Sequence, residues 1–548
     1  MSFSATSDIA RIVSNYARLL TGLLLGLILV PILLGWLGNV GYGLYSVLYI
    51  SVGLAVIFEE ITRSSLIREL GSAYHEPGKP KFGVVYNSSI VLSLSVAALA
   101  LVAFTAVYFA VPLLNIDPQL HRAGRVMVLA EGTLTLLYII AAPAINMYVI
   151  TLRFLLDNLF LVLRRSTYLI GALVCRDLLH FRSPINGDTV DMPALSVAFE
   201  AFTLSSNLIG LCVLVASVTV ILRLEPTTRP RLSLASRTAL KQIYATFGWN
   251  TAVNIALNMY DRVGGIIINL AFGTVGNVVW GLAIQLAAYV RMISLGVNSG
   301  VDAIAAKISS GDENERKRLV WFVRYSTVLH SLVAFPAAVA IGMLTEPMLR
   351  LWVGRKVQNP DQIIPLAVTM TQFLLVPIAA RSVSDAWLRI LYGSGHVHRY
   401  APMVLIAGVV NAIIAAILVF VVPLPSEWRI FAPAATYAVV YTATHFFMLP
   451  YLNGKYIGIS GNDMVGPTIR PLLVSLMGVP LFIIANKVLA PWSLTDLAAA
   501  MLAYGVLYLP ALWFIALTGA QRQAIISVLR KRGTKSEMEN PVSSSTEY

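Results

Sequence analysis

The chain has 548 residues, of which 57% are hydrophobic and only 12% are charged, and its formal net charge is +13. Soluble domains carry about 25% charged residues, so this composition excludes a water-soluble globular protein. The two cysteines, Cys175 and Cys212, form no Cys-x-x-Cys or Cys/His motif, so neither a metal site nor another cofactor is expected. The basic residues are scattered between apolar segments, which excludes nucleic-acid binding.

Fourteen apolar runs are each long enough to cross a bilayer as a helix, which takes roughly 20 residues. The runs predict an all-α, polytopic transmembrane bundle of about 14 helices. The joins at 150–154 and 271–276 are so short that each allows one long kinked helix. In chain order the runs cover approximately residues 14–36, 41–62, 83–113, 124–150, 154–175, 194–222, 242–271, 276–305, 319–345, 362–392, 401–423, 428–452, 468–489 and 493–518.

The basic residues concentrate in the two termini and in every second loop. Lys and Arg collect on the cytoplasmic side of membrane proteins, so both termini are predicted to be cytoplasmic and the protein to lie in the inner membrane. No cleaved signal peptide is expected, because the first apolar run is too long for one. When residues near a span end are assigned to the nearest loop, four arginines are counted inside the spans, namely Arg164, Arg165, Arg262 and Arg291. They favour a cationic cavity for an anionic substrate.

A short phrase occurs twice in the chain. Gly38-Asn-Val-Gly-Tyr-Gly-Leu-Tyr45 returns as Gly273-Thr-Val-Gly-Asn-Val-Val-Trp280, 235 positions later, and Asn15 and Asn250 have the same offset. The offset covers six spans, so the second copy enters the membrane in the same orientation as the first. Such a parallel repeat has its pseudo-axis along the membrane normal and is typical of transporters.

The repeat divides the chain into two pseudo-symmetric six-helix lobes. Proline and arginine mark a basic cytoplasmic linker between them, and the end of the chain is basic and then rich in serine. The predicted boundaries are 1–225 for the first lobe, 226–241 for the linker, 242–455 for the second lobe, 456–520 for two additional helices and 521–548 for a cytoplasmic tail.

The seventh span carries the richest set of polar residues. Asn250, Asn254, Asn258 and Asp261 are spaced by 4, 4 and 3 residues, so they fall on one helix face, with Arg262 beside them. We interpret this face as a cavity wall that contacts a polar substrate. The alternative is hydrogen bonding between helices, which also places polar residues inside spans.

Arg291, Asn298 and Asp302 share a face of the eighth span. Arg291 is a candidate ligand for a substrate phosphate, and Asp302, near the cytoplasmic end, is a candidate gate or ion pair. Arg18 in the first span could bind an anion at the inner leaflet, or it could be a positive-inside anchor.

The remaining intramembrane charges predict ion pairs and coupling sites. Glu59 and Arg63 have the i, i+4 spacing that favours an ion pair within one helix, and they are also candidates for gating. Two further sets predict ion pairs within a helix: Arg381, Asp385 and Arg389 form a similar ladder, and Asp157 and Arg164 share a helix face. Glu131, in contrast, has no local partner. Buried carboxylates without partners bind coupling ions in many transporters, so Glu131 is a candidate for Na⁺ or H⁺ coupling.

The repeated Gly-x-Val-Gly-x-x-x-aromatic turn resembles that of the MOP superfamily of exporters. The fourteen spans agree with this resemblance, as do the stretch Met147–Phe154 and its counterpart Leu391–His396. Within the superfamily the chain is most similar to bacterial polysaccharide flippases of the Wzx type. The resemblance implies a V-shaped, two-lobed bundle that turns an oligosaccharide on undecaprenyl diphosphate from the inner to the outer leaflet, for cell-surface polysaccharide or lipopolysaccharide biosynthesis. It also implies that arginines hold the diphosphate in a central cavity.

Two alternatives stay open at this point. A MATE-like multidrug/cation antiporter of the same fold would favour carboxylates over arginines in its cavity. A membrane-embedded glycan polymerase or ligase would need a large outer loop with catalytic acids, and the predicted outer loops are short. The expected partners are therefore the lipid bilayer and an anionic lipid-linked oligosaccharide, with Na⁺ or H⁺ and glycan-assembly proteins as further candidates. No enzymatic activity is expected.

Overall fold

The computed structural model describes residues 5–79, 81–186, 189–295, 313–519, 521–523 and 526, and these residues are almost entirely helical. A single ladder of two short strands pairs β1 (Ile185–Asn186) with β2 (Thr189–Val190) in this part of the chain, with Ile185 opposite Val190. The helices are α1 Ala5–His75, α2 Phe82–Ala110, α3 His121–Ile150, α4 Phe154–Leu173, α5 Met192–Leu224, α6 Arg237–Leu295, α7 Glu313–Trp352, α8 Pro360–Gly393, α9 Val397–Phe420, α10 Ser426–Arg429, α11 Ala432–Ala443, α12 Leu449–Ile457, α13 Gly461–Leu476, α14 Gly478–Val488 and α15 Leu494–Ala511.

Shorter helical turns extend or connect these helices. Turns of π-helix follow α4, α11 and α15 directly, at Val174–Leu178, Thr444–Met448 and Leu512–Ala516. Turns of 3₁₀-helix lie in the connections, at Val111–Leu113, Pro118–Leu120, Pro226–Thr228 and Leu232–Leu234. Helix α6 begins at Arg237, inside the predicted linker, so it starts before the seventh predicted span.

Eleven helical segments within the described ranges are long and apolar enough to cross a membrane. Two of them, in α1 and α6, contain 60 and 44 residues, which is more than one crossing of a bilayer core requires. Each contains two predicted spans, and the segment from α11 to α12 corresponds to the twelfth predicted run. The prediction of an all-α membrane bundle is therefore confirmed, and the number of spans agrees with about 14.

The repeated glycines divide the two longest helices. Gly38 in α1 has φ 71° and ψ −174°, and Gly273 in α6 has φ 62° and ψ −151°. Only glycine adopts this backbone conformation without strain. The short join at 271–276 is thus a kink between two helical spans of α6, and an equivalent kink separates the two spans predicted within α1.

A second pair of turns also repeats. The amides of Thr151, Leu152 and Arg153 donate to the carbonyl oxygens of Met147, Val149 and Tyr148. At the end of α8, the amides of Ser394, Gly395 and His396 donate in the same pattern to Ile390, Tyr392 and Leu391. Leu152 and Gly395 both have positive φ, as in a Schellman-type helix end. The predicted join at 150–154 is therefore a true break between α3 and α4, with a counterpart in the second half.

The two halves of the bundle meet along the second part of α1 and the second part of α6. A β-carbon built on Gly281 would lie 2.7 Å from the Ser46 Oγ. Ser46 and Gly281 are 235 positions apart, so equivalent positions of the two repeats contact each other. A pseudo-two-fold axis between the two repeats would bring equivalent positions together in this way.

The surface of the bundle is apolar where lipid would surround it. Large side chains such as Val102, Phe109 and Val439 are exposed on the described helices. The last helices form their own small core against α7, in which Leu344, Phe482 and Tyr504 are buried. The separate domain predicted for residues 456–520 stays a prediction.

Candidate functional site

The buried charges of the first half form ion pairs between helices. The Arg164 guanidinium on α4 binds both oxygens of Glu59 on α1, with Nη2 at 2.6 Å from Oε2, and Arg63 on α1 pairs with Asp157 on α4. The predicted pair between Glu59 and Arg63 and the predicted pair between Asp157 and Arg164 are therefore both wrong. Helices α1 and α4 run antiparallel, so each charged residue of α1 pairs with a residue of α4 and not with its neighbour along the same helix.

The two ion pairs enclose a small polar cavity. Its free space is about 20 Å³, which is room for about one water molecule. The Arg164 guanidinium carbon lies 3.7 Å from the centre of the Tyr138 ring, and Asn146 donates to the Arg63 carbonyl at 2.9 Å. The cavity is too small for a substrate in this conformation, and the two ion pairs connect α1 to α4.

Two arginines within the predicted spans of the first half, Arg18 and Arg165, have no carboxylate partner within 4 Å among the described residues. Arg18 on α1 and Arg165 on α4 lie close to each other, since a β-carbon on Gly22, one turn after Arg18, would contact the Arg165 guanidinium, 3.6 Å from its central carbon. The Arg18 Nε is buried without a hydrogen-bond partner. Sequence reasoning counted Arg165 among the intramembrane arginines but did not select it as a site residue.

Glu131 lies on α3, apart from the two ion pairs. Its Oε2 accepts a hydrogen bond from the Tyr168 hydroxyl at 2.7 Å, and the structure places no Lys or Arg nitrogen within 4 Å of it in the described ranges. Tyr168 belongs to an aromatic cluster with Tyr45 and Tyr49, whose ring centres lie 5.6 and 6.4 Å from the Tyr168 ring. Glu131 thus remains a candidate coupling residue, because its carboxylate accepts a hydrogen bond from a hydroxyl and forms no ion pair in the described ranges.

In the second half, Asp261 on α6 is the centre of a polar network. Arg381 on α8 donates to Oδ2 at 2.7 Å, Tyr437 on α11 donates to Oδ1 at 2.7 Å, and the Arg291 Nη1 lies 3.8 Å from Oδ2. Arg381, which was predicted to pair along its own helix with Asp385, is only 4% exposed. Asp261 is therefore the anchor of α6 within its lobe, and neither Arg381 nor Tyr437 could be recognised from helical spacing.

Arg262 points away from that network toward the other lobe. Its Nε donates to the Asn258 Oδ1 at 3.2 Å, and its Nη1 donates to the Tyr49 carbonyl at 3.3 Å on α1. A β-carbon on Gly53 would overlap the Arg262 guanidinium. Gly53 therefore makes room for an arginine that crosses between the lobes.

The other predicted site residues are described to different extents. The Asn258 amide also donates to the Asn254 carbonyl at 3.0 Å, so part of the predicted stripe bonds within α6. Arg291 is about one third exposed, and its Nε is buried without a hydrogen-bond partner. The side chain of Asn250 and all of Asn298 and Asp302 lie outside the described residues.

Two pairs of reciprocal hydrogen bonds close the lobes at the end that holds Gly38 and Gly273. Asn39 on α1 donates to the Gln358 carbonyl at 2.8 Å and accepts from the Gln358 amide at 3.2 Å. Asn269 on α6 accepts from the Asn115 amide at 3.0 Å and donates to its carbonyl at 3.5 Å. We call these four residues the lobe clamp. Asn39 binds the loop after α7, and Asn269 binds the loop after α2. These loops follow the third predicted span of each repeat, so the two pairs of hydrogen bonds are equivalent under the pseudo-symmetry.

Part of the second half matches a known protein family by sequence. Residues 251–417, which run from α6 into α9, match the MatE family model. No protein of curated function matches the chain by sequence. The sequence link to the family therefore lies in the second half.

Solved structures with the same fold include both flippases and exporters. The chain resembles a lipid II flippase MurJ in an inward closed conformation, with 13% identity and a TM-score of 0.60 over 92% of this chain and 98% of that one. It also resembles an inward-facing multidrug resistance MATE transporter, with 12% identity and a TM-score of 0.55 over 81% and 99%. A MOP-superfamily transporter from Pyrococcus furiosus, described as having a binding pocket of reversed polarity, shares 14% identity with a TM-score of 0.56 over 81% and 96%. At these identities the likeness establishes the fold.

Proposed function

We propose that the protein is a flippase that carries an anionic lipid-linked oligosaccharide, of the polyprenyl-diphosphate type, across the inner membrane by alternating access. The observation that carries this proposal is the surplus of intramembrane arginines. Arg63, Arg164 and Arg381 each have a carboxylate partner, whereas Arg18, Arg165 and Arg262 have none within 4 Å among the described residues, and Arg291 shares Asp261. Charged groups at membrane depth usually mark the path of a substrate of opposite charge.

The arrangement suits recognition of a diphosphate. An arginine fork donates two parallel hydrogen bonds to phosphate oxygens. Arg262 has only neutral acceptors in this conformation, an amide oxygen and a backbone carbonyl, so a phosphate could displace them at small cost. Both termini are placed in the cytoplasm by the distribution of basic residues, and the closed clamp then lies on the outer side.

Alternating access requires the lobes to close on one side before they open on the other. A ligand drives this change only if it binds the two states with different affinities. Arg262 contacts both lobes in the present state, so separation of the lobes at its position frees the guanidinium for the substrate. An inside-negative potential also favours outward movement of the anion, by about 2.3 kcal/mol per charge per 100 mV.

The proposal is tested by replacing the two arginines nearest the lobe interface. We expect Arg262→Ala and Arg291→Ala to reduce transport of lipid-linked oligosaccharide by about tenfold or more each, because a charge-assisted hydrogen bond contributes about 1.5–3 kcal/mol. The measurement is accumulation of surface glycan, together with the leaflet in which the lipid-linked precursor remains.

The matched control is Arg355→Ala, which removes an exposed arginine from the loop after α7. Expression and thermal stability of all three variants should be equal to those of the parent protein. Normal export in both cavity variants, or an equal loss in the control, contradicts the cationic-cavity proposal. Stranding of the precursor on the cytoplasmic leaflet distinguishes a flippase from a polymerase or ligase.

Ion coupling through Glu131 is a separate part of the proposal. Glu131→Gln keeps the hydrogen bond from Tyr168 but removes the charge that a proton or Na⁺ would neutralise. We expect this variant to bind substrate normally and to lose the dependence of transport on an imposed proton or Na⁺ gradient in proteoliposomes. A transport rate that still follows the gradient excludes Glu131 as the coupling residue.

A further inference from the structure

A second polar site lies far from the lobe interface, between α7, the start of α13 and the turn that follows α15. It is a pocket with a volume of about 480 Å³. Its inner end is apolar, with Val328 and Ala516 buried, and its mouth carries Trp321, Arg324 and Arg470. An apolar floor below a basic mouth is the pattern of an amphiphile site, and it is separate from the arginines of the transport path.

The helices that form the pocket place it where the membrane meets water. Helix α7 carries the exposed residues Lys317 and Arg318 in its second turn, and α13 is capped by Ser460, whose hydroxyl accepts from the Asp463 amide at 3.2 Å. Trp321 and Tyr325, one turn apart on α7, stack with ring centres 5.3 Å apart and an angle of 6° between the rings. Tryptophan and tyrosine are enriched at the headgroup level of membranes.

The charge of the mouth is positive. Arg324 is held by Asp463, with Nε at 2.8 Å from Oδ1, but its side chain is still 60% exposed. The Ser460 hydroxyl donates to the other carboxylate oxygen of Asp463, Oδ2, at 2.8 Å. Arg324 therefore already balances the charge of Asp463. Arg470, one turn beyond Pro467 on α13, is exposed and has no ion-pair partner within 4 Å in the described ranges. One positive charge is therefore left without a protein counterion beside an aromatic pair.

We propose that this pocket binds the phosphate headgroup of an anionic membrane phospholipid, with Arg470 and the outer face of Arg324 on the phosphate and the Trp321 ring against the glycerol and upper acyl chain. Basic pockets between transmembrane helices on the cytoplasmic side bind anionic headgroups in other membrane proteins. The bound lipid would hold the last helices against α7. The placement of this pocket on the cytoplasmic side rests on the membrane orientation used in the proposed function. Binding of the phospholipid does not depend on that orientation.

The test measures binding of a fluorescently labelled phosphatidylglycerol to the full-length protein in detergent. Arg470→Gln is expected to weaken binding about fivefold, in line with the contribution of one arginine at an anionic surface, and Trp321→Ala to weaken it further. Arg237→Gln removes another exposed arginine of the cytoplasmic side, outside the pocket, and should leave the affinity unchanged.

Competition distinguishes the source of the phosphate. Unlabelled phosphatidylglycerol should displace the probe, whereas phosphatidylcholine with the same acyl chains and free glycerol phosphate should not. An unchanged affinity of Arg470→Gln, an equal loss in Arg237→Gln, or displacement by glycerol phosphate overturns the proposal. Because binding is read without transport, a negative result leaves the flippase proposal untouched, and loss of transport in Arg262→Ala leaves this one untouched.

Discussion

Glu59 and Arg164 show how much depends on one buried ion pair. Removal of one partner leaves an uncompensated charge, which costs about 3–5 kcal/mol when the pair is buried. We expect Glu59→Gln to lower the thermal stability of the protein in detergent by such an amount, although the Tyr138 ring retains part of the stabilisation of Arg164.

The exposed pair between Glu346 and Arg350 on α7 provides the control. Its side chains are about half exposed, and exposed pairs contribute about 0–1 kcal/mol. Glu346→Gln should therefore change the melting temperature little. Equal effects of Glu59→Gln and Glu346→Gln would show that the first lobe does not depend on its internal pair.

The sequence identified these charged residues but did not give their partners. Spacing by four residues shows that Glu59 and Arg63 can meet on one helix, and it contains no information about the neighbouring helix. Helix α4 offers Asp157 and Arg164 in the opposite order along an antiparallel neighbour, so both cross-pairs form together. For the same reason Asp261 was predicted to line a cavity, whereas Arg381 and Tyr437, more than 100 residues away, bind it.

At the scale of helices, the kinks at Gly38 and Gly273 were the most predictable feature, because their cause is local. Any side chain at a positive φ with an extended ψ is strained, by about 1–3 kcal/mol per position. We expect Gly38→Ala and Gly273→Ala each to lower stability by roughly this amount and to impair transport, as measured by thermal unfolding and by export.

Gly71 provides a comparison on α1 itself. It lies in regular helix, and a β-carbon there would meet nothing within 4 Å. Gly71→Ala should be neutral or slightly stabilising, since alanine favours helix over glycine by about 1 kcal/mol. A loss of stability in Gly71→Ala equal to that in Gly38→Ala would contradict a special role for the kink.

At the scale of the whole molecule, the lobe clamp should control which side of the membrane the cavity faces. Asn39→Ala combined with Asn269→Ala removes the side chains from all four hydrogen bonds of the clamp. Each such bond contributes about 1 kcal/mol, so the population open to the outside should rise at least about tenfold.

Labelling of a cysteine at the lobe interface reports this change. Ser46→Cys, in a background with Cys175 and Cys212 replaced by alanine, places a thiol at a position that is 7% exposed. A membrane-impermeant maleimide added from outside should label it faster when the clamp is removed. Asn453→Ala, which removes an amide that bonds only within its own lobe, should not change the rate, and an unchanged rate in the clamp variant would exclude the clamp as a gate.

The contact between Ser46 and Gly281 finally bears on how such a chain arose. A residue on a two-fold axis faces its own copy, so a single ancestral half would have associated with a second identical molecule through this position. If two such molecules are fused end to end, both keep their orientation in the membrane only when each crosses the membrane an even number of times. The offset of six spans satisfies this condition. The small residues at 46 and 281 are then the trace of a homodimer interface that became internal when one gene came to encode both halves.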